Sequence, residues 1–151
     1  MNHRFTQRNL PQRFLIARER LMSHFRPILT HYGLTEQQWR LLRVLDDKEQ
    51  LEPRELCEMC QILSSNMPGV LARMKGMELI ERNRSVEDQR RVLVRLAPKG
   101  EKLIAEIAPY IEQQYRYLEK AFSKRVLADL DKALEKFLEV DISSVERVEL
   151  P

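Results

Sequence analysis

Apolar residues at Leu10, Phe14, Ala17, Leu21, Phe25, Ile28 and Tyr32 recur at steps of three and four. That spacing lines one helix face and predicts a first long helix over residues 10–32 that stops near Gly33. Thr35 followed by Gln38 has capping-box spacing and opens a second helix with Trp39, Leu42 and Leu45 inward, running out in the charged turn of residues 46–50. Pro53 suits the first position of a short third helix, Pro53–Cys60, packed through Leu56 and Met59. A fourth helix begins at Ser64 or Ser65, both good N-caps, with Met67, Val70, Leu71 and Met74 as its apolar face. The period then changes to two. Residues 79–84 and 91–96 read as strands, the second with Val92, Val94 and Leu96 inward and Leu93 and Arg95 outward. Their turn, residues 85–90, is too long for a tight hairpin and is expected to project as a mobile loop. Behind Pro98 and Gly100 a fifth helix carries the stripe Leu103, Ile104, Ile107, Ile111, Tyr115, Leu118 and Phe122. A sixth, from about Lys124, carries Val126, Leu127, Leu130, Leu134, Phe137 and Leu138. Residues 141–151 show no clear pattern of their own.

The fourth helix is unusual on its other side. At about 100° per residue, the face opposite Met67 and Leu71 carries Ser65, Gly69, Ala72 and Gly76, with Asn66 and Arg73 along one flank and Pro68 along the other. A solvated face is ordinarily rich in Lys and Glu. Small residues instead let a helix sit deep in a groove, and the major groove of B-DNA, about 12 Å wide, admits one. The alternative is a short surface helix weakened by two glycines, at roughly 1 kcal/mol each against alanine. Charge bears on the choice. Lys+Arg of 26 against Asp+Glu of 23 leaves a formal +3 over 151 residues, too mild to define a partner. Between residues 82 and 99, however, stand Arg82, Arg84, Arg90, Arg91, Arg95 and Lys99 against Glu87 and Asp88, so most of the excess gathers at one turn. A small-faced helix followed by a basic two-stranded turn is the outline of a winged helix-turn-helix, and DNA is the expected partner.

The long helices at both ends present more apolar stripe than a compact winged core covers, which predicts an intersubunit helical layer and a twofold homodimer. The expected fold class is therefore mainly α with a small β-wing: a winged helix-turn-helix core with an N- and C-terminal helical dimerisation layer. Residues 1–34 form the N-terminal arm, 35–97 the DNA-binding lobe and 98–151 the C-terminal dimerisation helices. No stretch approaches the roughly 18 to 20 apolar residues of a membrane span, and residues 1–14 lack the apolar core of a signal peptide, so a soluble, cytoplasmic protein is expected.

Asp88-Gln89-Arg90, with Val94, Leu96 and Gly100 behind it and Gly76-Met77-Glu78-Leu79-Ile80 closing the fourth helix, resembles the MarR family of winged-helix transcriptional regulators. The resemblance follows the helix order from about Leu10 to Leu138; Ala97-Pro98 departs from the Thr that the family usually carries after that Leu. Ala17-Arg18-Glu19, Met22-Ser23-His24-Phe25-Arg26-Pro27-Ile28 and Leu34-Thr35-Glu36-Gln37-Gln38-Trp39-Arg40 look like the branch containing the homoprotocatechuate-degradation operon regulators. The resemblance implies a dimeric repressor of a pseudo-palindromic operator, released by a small aromatic acid and controlling an aromatic degradation operon. The same branch contains a regulator of fatty-acid efflux, so control of efflux in response to fatty acids or other lipophilic compounds is the alternative.

Ser64, Ser65, Asn66 and Arg73 are the candidates for base or phosphate contacts, and Lys75, Arg84 and Arg91 for phosphates. Arg90 is the candidate minor-groove probe, with Asp88 holding or orienting it. The competing reading of Asp88 and Arg90 is a solvated ion pair worth about 0 to 1 kcal/mol. Polar groups also interrupt the first two helices: Arg18, Ser23, His24 and Arg26, then Trp39, Arg40 and Arg43. For a small aromatic carboxylic acid, Arg18 is expected to pair the carboxylate, His24 to meet a phenolic or carboxylate oxygen and Trp39 to stack on the ring, with Ser23, Arg26 and Arg43 beside them. A structural ion pair for Arg18 and a core role for Trp39 stand as alternatives. No Gly-rich phosphate loop or nucleophile elbow is present, and His3, His24 and His31 lack compact ligand spacing. Cys57 and Cys60 have no second pair to complete a zinc site. No enzyme, metal or cofactor is expected; a metal- or thiol-sensing regulator and a helical adaptor that binds no DNA are the remaining alternatives.

Overall fold

The expected helices form because their apolar positions and caps agree. Among residues 4–151, which this computed structural model describes, α1 is Leu10–His31, capped by Asn9, whose Oδ1 accepts the Gln12 N–H at 3.2 Å. It ends where Gly33 takes φ +70°, a left-handed backbone that glycine adopts without a Cβ penalty. The capping box of α2, Glu36–Lys48, closes on both sides: the Thr35 hydroxyl accepts the Gln38 N–H at 3.2 Å and the Gln38 side chain accepts the Thr35 N–H at 3.0 Å. The helix buries Gln38, Leu41, Leu42 and Leu45. Trp39, expected inward, lies half-buried on the flank because Leu41 takes that place in the core.

The last residue of the expected charged turn, Gln50, opens a strand. β1, Gln50–Leu51, follows Glu49 at φ 64°, and two residues are too few to show any periodicity. In α3, Pro53–Cys60, Leu56 and Cys60 are buried and Met59 is 46% exposed, so the inward stripe falls one residue later than expected. α4 is Met67–Gly76, preceded by Asn66, whose side chain makes no capping bond, with residues 64–66 in a turn. Neither Ser64 nor Ser65 is the cap. Pro68 stands in the first turn, where its missing N–H leaves no helical hydrogen bond unmade.

β2, Ile80–Arg84, and β3, Val92–Leu96, pair antiparallel from Ile80↔Leu96 to Arg84↔Val92, while β1 lies on the other edge of β3 in the order β1-β3-β2. The α5 helix, Pro98–Phe122, leaves the sheet at a close approach. Ala97 donates its N–H to the Leu79 carbonyl at 2.9 Å, and a Cβ at Gly100 would collide with that same oxygen. Leu29, Leu41, Leu42, Leu45, Leu56, Leu71, Met74, Leu79, Val94 and Ile107 are all at most 2% exposed and form the core around which the helices and sheet pack. Burying each of the larger ones stabilises the fold by about 1.5 to 3 kcal/mol.

The chain divides into two compact units, the first ending at Ile111 and the second being Glu112–Pro151. In the second, α6, Lys124–Glu139, starts where the Ser123 hydroxyl accepts the Val126 N–H at 3.2 Å. No residue of α6 is buried: Val126, Leu130, Phe137 and Leu138 are exposed, Leu127 and Leu134 half-buried. A 3-10 turn at Ile142–Ser144 follows, and Val145, Val148 and Leu150 beyond it are exposed.

Candidate DNA interface and ligand site

Packing of Met67, Leu71 and Met74 into the core turns the small-residue face of α4 outward. Ser65, Gly69, Ala72 and Gly76 are all exposed, as are Ser64, Asn66, Pro68, Arg73 and Lys75. A Cβ at Gly69 or Gly76 would meet nothing within 4 Å. Neither glycine is therefore demanded by internal packing, and the face is open to a partner.

The wing is stitched by its own hydrogen bonds. Ser85, only 8% exposed, donates its N–H to the Arg91 carbonyl at 2.8 Å, and its hydroxyl accepts the Glu87 and Asp88 N–H groups at 3.3 and 3.4 Å. Arg91 N–H returns to the Asp88 carbonyl at 3.0 Å. The Asp88 carboxylate accepts the Arg90 N–H at 3.0 Å, so Asp88 orients Arg90 through its main chain. Arg84 Nη1 donates to the Gln89 carbonyl at 2.8 Å. Arg91, expected on phosphate, is closed onto Glu52 at 2.8 Å, and that bond holds its guanidinium above its ordinary pKa. Arg73, Lys75 and Arg90 have no ion pair among the described residues, which leaves their charges available.

α1 and α2 meet through a four-member ion network. Arg18 Nη2 reaches Glu36 Oε2 at 2.9 Å, and Arg26 Nη2 reaches Glu36 Oε1 at 2.8 Å. Arg26 also forks onto both oxygens of Glu19 at 2.9 Å each. Arg18 lowers the Glu36 pKa first and Arg26 adds to it; Arg26 likewise lowers that of Glu19. Arg18 and Arg26 are thus brought together, with Glu19 and Glu36 as the partners that sequence reasoning did not assign. Glu19 and Arg26 are seven apart, two helical turns on one face, which was the available signal. Nothing local in sequence connects Glu36 to α1.

Ser23 and His24 bond back along α1: Ser23 Oγ donates to the Arg20 carbonyl at 3.1 Å, and His24 Nδ1 lies 2.7 Å from the same oxygen. A carbonyl only accepts, so Nδ1 carries a proton, and in the neutral ring Nε2 is then the acceptor. Helical geometry sets Trp39 and Arg43 on the face of α2 that carries Glu36. The Arg43 guanidinium lies 5.9 Å from the centre of the Trp39 ring, a cation–π arrangement that occupies one ring face. Cys57 is half-buried, and burial pushes the Cys60 thiol up. Among the described residues no group of three or more His, Cys, Asp and Glu is placed to hold a metal ion, and no helix is long and apolar enough to cross a membrane. His3 lies outside the described residues.

A helix with an open, small-residue face, followed by an arginine-bearing wing on a three-stranded sheet, defines a winged helix-turn-helix regulator. A MarR family sequence model matches residues 32–91. The chain is 34% identical over 134 residues to the homoprotocatechuate degradative operon repressor of Escherichia coli, covering 89% of this chain and 90% of that protein. It is 34% identical over 125 residues to the HTH-type transcriptional regulator FarR of Neisseria gonorrhoeae, covering 83% and 86%. The crystal structure of NadR in complex with 4-hydroxyphenylacetate superposes with a TM-score of 0.82 at 30% identity, over 93% of this chain and 100% of that one. The chain belongs to the MarR family of transcriptional regulators, which are DNA-binding proteins and not enzymes.

Proposed function

We propose that this chain is a dimeric transcriptional repressor that binds a pseudo-palindromic operator and is released by a small aromatic acid, controlling an aromatic degradation operon of the homoprotocatechuate or 4-hydroxyphenylacetate kind. The exposed Gly69, Ala72 and Gly76 face beside a hydrogen-bonded wing carries the DNA part of this reading. Each protomer lays residues 64–77 in a major groove, with Ser64, Ser65, Asn66 and Arg73 toward bases and phosphates, Lys75 and Arg84 toward phosphates, and Arg90 in the flanking minor groove. Arg91 serves the wing through Glu52.

For the effector, the α1–α2 surface offers guanidinium groups at Arg18, Arg26 and Arg43, a His24 acceptor and the half-buried Trp39 ring, a set that fits a ring bearing a carboxylate and a hydroxyl. The 4-hydroxyphenylacetate held by NadR and the name of the E. coli repressor support the same class. Release follows if the acid binds the DNA-incompetent arrangement better than the competent one, because only differential affinity shifts an equilibrium.

Selection from random duplexes tests the DNA part: it should enrich paired, inverted half-sites centred about one helical turn, roughly 10 bp, apart. Adding 4-hydroxyphenylacetate should then dissociate the selected complex. Enrichment without twofold symmetry overturns the dimeric reader. Release by medium-chain fatty acids but not by the aromatic acid transfers the effector assignment to the efflux alternative.

A further inference from the structure

Arg18 is not an empty receptor waiting for an anion. It and Arg26 already share Glu36, one oxygen each, and Glu19 completes a set of two cations and two anions. Three of the four side chains stand on α1; Glu36 alone stands on α2, at its first residue. An acid that reaches Arg18 must therefore compete with a carboxylate built into the protein. The Arg18 and Glu36 side chains are 47% and 25% exposed, so the pair opens to solvent without unfolding, and pairs at such exposure are weak enough for reversible exchange.

We propose that Glu36 is an internal counter-ion which the anionic effector displaces from Arg18 and Arg26 together, and that this exchange breaks the ion-pair tie between α1 and α2. This inference rests on the assignment of the effector carboxylate to Arg18 in the proposed function. Charge at the guanidinium groups is conserved through the exchange, because one carboxylate leaves as another arrives. The expelled Glu36 carboxylate remains in the first turn of α2, where the helix dipole favours a negative charge. Ligand binding and the tie then exclude one another, so by linkage whatever weakens the tie strengthens the ligand and whatever strengthens it opposes release.

Calorimetric titration of the full chain with 4-hydroxyphenylacetate at fixed ionic strength tests this on wild type, Glu36→Gln, Glu36→Asp, Glu19→Gln and Arg18→Ala. Glu36→Gln keeps the side-chain shape and removes the competing charge, so the ligand should bind roughly three- to tenfold more tightly, while ligand-free operator affinity falls. Glu36→Asp, whose carboxylate is shorter by one methylene, should fall between Gln and wild type. Glu19→Gln should change affinity less than about twofold, because Glu36 still holds both arginines. Arg18→Ala should weaken binding about tenfold or more. A purely structural Glu36 would lose ligand affinity on substitution, never gain it. If Arg18→Ala weakens the ligand and both Glu36 variants leave it unchanged or weaker, the carboxylate exchange is wrong and the Arg18 site stands. If Arg18→Ala is without effect, or wild type shows no binding, the site assignment falls and the exchange with it.

Discussion

Arg90 stands at the wing with its main-chain N–H tied to Asp88 at 3.0 Å, whereas its neighbour Arg91 is closed onto Glu52 at 2.8 Å. Adjacent arginines therefore predict opposite experiments. Arg90→Ala should cost about 1 to 3 kcal/mol of specific DNA binding at unchanged thermal stability, read by fluorescence anisotropy on a selected operator; unchanged affinity removes Arg90 from the interface. Glu52→Gln deletes a negative charge near the expected DNA surface and on charge alone should tighten binding. If Glu52 positions the wing through Arg91, the same change should weaken it severalfold, and the sign decides. The Glu36 carboxyl supplies a pH signature. Its folded pKa lies below the ordinary 4.5, so its contribution to stability is present above that value and is lost as the pH falls through the lower folded value. Urea midpoints between about pH 5 and pH 3 should fall more steeply for wild type than for Glu36→Gln, and parallel curves would mean the network adds no stability.

At the scale of elements, three glycines separate packing from recognition. Gly100 is demanded by the Leu79 carbonyl and Gly33 by its φ of +70°, while Gly69 has open space around it. Gly69→Ala should leave the fold intact or stabilise it by up to about 1 kcal/mol, whereas Gly69→Gln should keep the thermal midpoint and lose operator binding because a long side chain fills the groove-facing surface. Retained operator affinity in Gly69→Gln would show that this face does not enter the groove. The same helix shows what sequence carries and what it hides. Its apolar and small faces were legible because period and composition agree over three turns. Its start differs from expectation because Ser64 and Ser65 look like caps yet lie in the turn that precedes the helix. β1 was hidden because two residues have no period, and its stability comes from Val94 and Arg95, far along the chain. Arg18 was legible as a polar interruption, but Glu36 as its partner was not: the pair is 18 residues apart and depends on how α1 lies against α2.

For the whole molecule, the apolar stripe of α6 is left without cover in the single chain. A helix with no buried residue and with Val126, Leu130, Phe137 and Leu138 exposed gains little from hydrophobic burial in a single chain. The proposed dimer would bury this stripe against a second copy, and a specific interface of more than about 1,000 Å² is within reach of a 16-residue helix joined by the exposed apolar residues of the tail. The proposed dimer would also account for how a formal charge of only +3 serves a DNA-binding protein. In such a dimer two wings would make their contacts with one duplex in tandem, the second half-site being bound at high effective concentration. Leu130→Glu with Leu138→Glu places two charges in the proposed interface. Sedimentation equilibrium should show the wild type at twice the chain mass and the double variant as monomer. Affinity for the full operator should fall about a hundredfold or more, while affinity for an isolated half-site stays the same. A variant that remains dimeric, or that loses half-site affinity as well, would place the twofold contact elsewhere on the chain.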